Sequence, residues 1–194
     1  MTASQAFSFI SVFYRFEVEK TGNDFTLTSN LKECIEKLSL HLTLSNKKWG
    51  IFITGNIGNG KTTLLKALSN GVSYLINNGY IDNKGNYNNI FKIINAKDVV
   101  RLFVEDKAEY QRIVKKENLL IDDVGEEPFE VLMYGVPYQP MLDLLKERYA
   151  NHLFTIITSN LGADKIKERY KDMRLADRLK EMFTGITFKD KSFR

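Results

Sequence analysis

The run Gly55-Asn56-Ile57-Gly58-Asn59-Gly60-Lys61-Thr62 has the spacing G-x-x-x-x-G-K-[ST], which suits phosphate chemistry. Glycines let successive backbone N–H groups curl around phosphate oxygens without side-chain clash. A helix opening at Lys61 adds unsatisfied donors and a favourable dipole. Lys61 would then reach the terminal phosphates of a nucleotide, Thr62 would offer a hydroxyl to Mg2+, and Thr63 would complete the loop. A second run, Leu119-Leu-Ile-Asp122-Asp123, is apolar and ends in two carboxylates. Neighbouring strand residues point to opposite faces, so the two acids should have separate tasks. Asp122 would hold Mg2+, directly or through water, and Asp123 would orient or deprotonate an attacking water. A third run ends Thr158-Ser159-Asn160. Its Asn can reach a phosphate or that water, although taken alone it reads as a turn or cap. Arg174 and Arg178 stand four apart, on one helix face. Alone they are a surface pair with Asp177 and Glu181 as local partners. Beside a phosphate loop, such an arginine can neutralise transition-state charge on a neighbouring subunit's nucleotide.

Elements of a particular kind must hold these residues. Short apolar runs alternate with helical patterns, the mark of a parallel α/β sheet. Residues 50–54, 90–95, 119–122, 154–159 and 185–189 read as five strands, apolar enough to be covered on both faces. Helical spacing fits 61–69, 140–150, 163–170 and 174–183, with one or two helices over 98–114. Residues 30–44 form a further helix entered through Thr28-Ser29-Asn30. The segment 7–18 has no clear assignment. The stretch 77–89 (NNGYIDNKGNYNN) reads as an exposed loop.

The chain has 194 residues, enough for one domain of roughly 150 residues with a short appendage. It is 43% hydrophobic and 27% charged, which excludes a disordered protein. One cysteine, Cys34, excludes a disulfide scaffold or a cysteine-cluster metal site and suits a reducing compartment. Net charge is +4, compatible with nucleic acid without demanding it. No run has the length of a membrane span and no signal peptide is apparent, so a cytoplasmic location without membrane attachment is expected.

In their order along the chain, these elements resemble an AAA+ ATPase of the DnaC/DnaI/IstB-like helicase-loader group. The resemblance rests on LLIDDVG at 119–125, TIITSNL at 155–161, and Glu168-Arg-Tyr170, Asp177-Arg178-Leu179 and the tail from Phe188 to Arg194. It covers residues 25–194 as an ATPase domain and leaves 1–24 as an aromatic-rich extension. It implies an AAA+ P-loop NTPase core of the α/β class: a five-stranded parallel sheet of order 5-1-4-3-2, flanked by helices, with no C-terminal lid domain. It implies ATP and Mg2+ as cofactors and hydrolysis of ATP to ADP and phosphate. Gly55, Gly60, Lys61 and Thr62 become the nucleotide loop, Asp122 and Asp123 the Walker B pair, and Asn160 sensor 1. Arg178 becomes the arginine finger, with Arg174 second choice. Loaders of this branch self-assemble, bind single-stranded DNA and deliver a replicative helicase; the IstB-like relatives act with a transposase. Asp123 stands where a Glu is commoner in the family, and the sequence provides neither a lid nor a sensor 2 arginine.

Three expectations follow for partners. Residues 7–16 form a partner patch or pack on their own core, the second being the commoner fate of aromatics. On 98–114, Arg101, Phe103, Lys107, Tyr110 and Arg112 mix charge and aromatics as single-strand grooves do, or make an ordinary amphipathic helix. A homo-oligomer would complete the site. The alternatives are an IstB-like transposition ATPase, a small-molecule or nucleotide kinase, and a non-hydrolysing adaptor. A kinase would want an arginine-rich lid, which GEEPFEVLMYGV at 125–136 does not supply.

Overall fold

In a computed structural model, residues 1–45, 47–81, 91–171 and 173–189 are described, with 173–176 as backbone only. Most of the loop expected over 77–89, Ile90, the Arg174 side chain and the end of the tail lie outside the described residues.

Strand β1 (Gly50–Gly55) is central. It pairs in parallel with β6 (Phe154–Ser159) and with β7 (Phe183–Phe188), which is an edge strand. On the other side, β3 (Asn118–Asp122) joins β6 to β2 (Lys92–Asn95), also in parallel. The order β2-β3-β6-β1-β7 is 5-1-4-3-2 when the five strands are counted along the chain and the sheet is read from the β7 edge. Parallel neighbours need crossover helices, which cover both faces.

Alternation along each strand builds two cores. Ile51, Ile53, Leu120, Ile156, Ile186 and Phe188 face α1 (Ala3–Glu19), α2 (Ser29–Thr43) and α3 (Lys61–Asn77). Phe52, Leu119, Ile121 and Ile157 face α4 (Ala96–Glu105), α5 (Lys107–Lys115), α6 (Pro140–Ala150), α7 (Ala163–Tyr170) and the end of α8 (Met173–Met182).

The segment left open at 7–18 is helical. Thr2 caps α1 with a reciprocal capping box to Gln5, a device that satisfies two orphan donors at once. Ile10 and Tyr14 enter the α2–α3 core, with Phe7, Phe9 and Phe13 half-buried against it, whereas Val12 and Phe16 are exposed. Close approach of α1 to α3 depends on Gly71, where a Cβ would lie 2.8 Å from the Phe9 ring. Cys34 is buried on α2, its Sγ 3.5 Å from the Thr187 carbonyl of β7.

Between β3 and α6 the chain forms an antiparallel hairpin, β4 (Val131–Met133) and β5 (Val136–Tyr138). Its two-residue turn is Tyr134-Gly135, with φ of 53° and 79°. That geometry matches the twist of a tight hairpin, but the sequence lacks the usual Asn-Gly or Asp-Gly signal.

Candidate functional site

The sheet's C-terminal edge carries the residues singled out from the sequence. β1 ends at Gly55, the loop follows, and α3 starts at Lys61 with Gly60 as its cap and no side-chain cap hydrogen bond. The first-turn donors are therefore available to an anion. Gly60 has φ of 94°, and a Cβ there would collide with the Tyr14 hydroxyl, so both backbone shape and the closeness of α1 demand glycine.

A cavity of about 850 Å³ opens over this loop. Ile57, Gly58, Asn59, Gly60, Lys61, Thr62 and Thr63 line it, as do Asp123 and Asn160. The sequence does not flag its opposite wall, which comes from α1 and the following linker and includes Tyr14, Phe25 and Thr28. Thr28 is marked only as a helix cap, and no local motif places any of these residues at the cavity, because they reach it through the packing of α1 and the linker beside the loop.

Lys61 is 5% exposed. Its Nζ donates to the carbonyls of Gly55 and Asn56, both at 2.8 Å, and to Asn160 Oδ1 at 2.9 Å. Burial lowers its pKa, opposed by the nearby charges of Asp123 and Asp122. Asn160 Nδ2 also donates to Glu126 Oε1 at 3.4 Å. The strand-end asparagine and the loop lysine are thus in direct contact, although 99 residues apart.

The two acids differ as their alternation requires. Asp122 is buried; its Oδ2 accepts from the Thr62 hydroxyl at 2.8 Å and its Oδ1 from the Thr158 hydroxyl at 2.5 Å. Asp123 faces the cavity with φ of 58°, and its N–H donates to Thr158 Oγ1 at 2.9 Å. Desolvation, then the charge of Asp122, raises the Asp123 pKa, and Lys61 opposes the rise. Thr158 holds both acids, a role with no sequence signal because it depends on β3 lying beside β6.

Carboxylate and hydroxyl oxygens at 2.8 Å are hard donors of the kind Mg2+ takes, and Mg2+ is commonly held by one or two carboxylates together with substrate phosphates. Among the described residues no cluster of three or more His, Cys, Asp or Glu could hold a metal alone.

Arg178 does not line this cavity. It is half-buried on α8, its guanidinium 5.3 Å from the Tyr149 ring centroid. The 98–114 segment is two helices broken at Asp106. Phe103 and Tyr110 are buried there, which removes them as base-stacking platforms. Arg101 pairs with Asp98, and Arg112 with Glu109.

No protein-family model matches the chain, and no curated protein sequence matches it. Solved structures do. A DnaI structure matches with TM-score 0.63 and 18% identity, over 88% of each chain. The DnaC helicase loader matches with TM-score 0.63 and 19% identity, over 91% of this chain and 98% of the other. Replication initiator DnaA bound to AMPPCP and single-stranded DNA matches with TM-score 0.56 and 21% identity. That match covers 84% of this chain and 48% of the DnaA structure, so the chain spans about half of DnaA's length. The chain therefore has the AAA+ fold, in the form seen in the DnaC and DnaI structures.

Proposed function

We propose that this chain binds and hydrolyses ATP as an AAA+ protein acting on DNA, in the manner of a DnaC/DnaI-like replicative helicase loader. The observation that carries the reading is the meeting of Lys61, Thr62, Asp123 and Asn160 at one cavity, with buried Asp122 bonded to Thr62, on a sheet of order 5-1-4-3-2. A transposase-linked ATPase of the IstB-like kind shares all of these features. The kinase reading loses ground, because the stretch after β3 folds as a hairpin without arginine rather than as a phosphate-clamping lid.

The N–H groups at the start of α3 would bind the β-phosphate, and Lys61 would leave its loop carbonyls for the terminal phosphates. Thr62 and Asp122 would hold Mg2+, which neutralises phosphate charge when bound. Asp123 would take a proton from the attacking water, with Asn160 orienting that water or the γ-phosphate. The wall built by α1 and the linker would receive the base. Arg178 would complete the site of a neighbouring subunit, a reading supported by its position away from its own cavity. Single-stranded DNA and a helicase are the proposed partners.

The test is ATP turnover per subunit across protein concentration, with and without single-stranded DNA. A rate that climbs with concentration and rises with DNA is expected. A flat rate indifferent to DNA would remove both the composite site and the DNA link.

A further inference from the structure

The run Glu168-Arg169-Tyr170 has no part in the phosphate chemistry above, yet it ends α7 directly behind the acidic loop. The Glu127 side chain has no exposed surface. Its Oε2 accepts from the Gly125 N–H at 2.7 Å, and its Oε1 accepts from the Tyr170 hydroxyl. The Arg169 guanidinium donates to the Glu127 carbonyl and holds its Nε 3.7 Å from Oε1. A carboxylate so deeply buried is tolerated only with such charged and hydrogen-bonding partners. Burial and the adjacent Glu127 push the Tyr170 phenol well above its ordinary pKa, so it stays a donor.

These groups hold a turn that is unfavourable by itself. Asp123 and Gly125 both have positive φ, 58° and 102°. An aspartate in that region is strained and persists only where its surroundings fix it. Thr158 anchors the start of the turn through the Asp123 N–H, and Ser159 holds the Val124 carbonyl at 2.6 Å. Glu127 anchors its end through Gly125. Glu127, Arg169 and Tyr170 are absent from the cavity wall.

We infer that Glu127, Arg169 and Tyr170 are positioning residues: a buried clasp that sets the aim of Asp123 into the cavity and couples it to α7, the helix that follows Asn160. The inference rests on the ATPase reading for its catalytic consequence, while the clasp's hold on the loop can be measured without turnover.

The experiment compares Glu127→Ala, Glu127→Gln and Tyr170→Phe in the full chain. Steady-state turnover, affinity for a fluorescent ATP analogue, and amide hydrogen exchange across 122–127 would be measured for each. For Glu127→Ala, kcat should fall about tenfold with KM and affinity within about twofold, the pattern of an interaction needed for chemistry rather than binding. Gly125 amide exchange should quicken while β1 and α3 keep their protection. Glu127→Gln retains an acceptor for Gly125 and should recover most of the rate. Tyr170→Phe removes one hydroxyl and should lower kcat a few-fold; it decides the matter if Glu127→Ala does not fold. Unchanged kcat with a lowered melting temperature would make the clasp purely structural and overturn the inference, as would parallel losses in kcat and affinity. If the wild-type chain shows no turnover, the ATPase reading fails; unchanged exchange at Gly125 in Glu127→Ala would then separately refute the clasp.

Discussion

One hydroxyl, Thr158 Oγ1, donates to Asp122 and accepts from the Asp123 backbone. Thr158→Val keeps the shape but leaves the Asp123 N–H without that acceptor. A loss of about 1–3 kcal/mol in urea unfolding is expected, together with a collapse of turnover. Asp123 carries its own cost. Its pKa is raised above the ordinary 3.8 by desolvation and by Asp122 and Glu126, against Lys61 and Lys97. In the proposed role of base Asp123 must be ionised, so the acid limb of the kcat–pH profile is expected above the range of an ordinary aspartate. The stability effect has the opposite sign to that of a salt-bridged acid. A carboxylate whose native pKa exceeds its unfolded value destabilises the fold at higher pH, and the penalty disappears below the unfolded pKa. Asp123→Asn should therefore abolish turnover while raising the melting temperature at pH 7. That gain should fade as the pH is lowered toward 4; a gain independent of pH would refute the assignment. The places of Lys61, Thr62, Asp122, Asp123 and Asn160 at the C-terminal edge of the sheet were legible in the sequence because each lies within a few residues of a strand end whose pattern is local. Thr158, Tyr14 and Glu127 were not, because their roles arise from neighbours 35, 46 and 43 residues distant.

At the level of elements, the sheet order matched what the family resemblance implied, and the helices α6 and α7 matched their sequence patterns, because helical apolar spacing and a Pro at the first turn are local signals. α1 escaped assignment because Phe7, Phe9 and Phe13 are placed by packing on α3 rather than by a single clean stripe. The hairpin escaped because its turn is Tyr-Gly and one strand contains Pro137. Least visible of all was Arg148 on α6, which is fully buried. Its guanidinium donates to Thr155 Oγ1 and to the carbonyls of Val114, Lys116, Glu117 and Phe154. It thus stitches the end of α5, the approach to β3 and the start of β6 together. Burial pushes its pKa down to about 9, still above neutrality, so at pH 7 it is a cation held by carbonyl dipoles at the end of α5. Arg148→Ala would leave these acceptors unpaired in a dry interior. It should cost about 3–4 kcal/mol in chemical denaturation; a loss below about 1 kcal/mol would show that water replaces the guanidinium.

For the whole molecule, the proposed assembly makes a quantitative claim. Arg178→Ala and Lys61→Ala should each be inactive alone. In an equimolar mixture that assembles at random, about one quarter of interfaces join an intact Lys61 to an intact Arg178, since the site and the finger come from different subunits. Turnover near a quarter of wild type is expected, and no recovery in the mixture would place the finger elsewhere. Among the described residues no helix is long and apolar enough to cross a membrane; Leu132, Tyr134 and Val136 of the hairpin are exposed. The far edge of the sheet holds a different resource. Cys34 is the chain's only thiol, and it is sealed between α2 and β7. A thiol reagent can reach it only when that seam parts, so the labelling rate is a clock for the opening of the outermost strand. Because β7 runs on directly from α8, anything that restrains the helix of Arg178 should slow the clock. Subunit docking could then be timed in the native protein, with no probe added beyond the one the chain already carries.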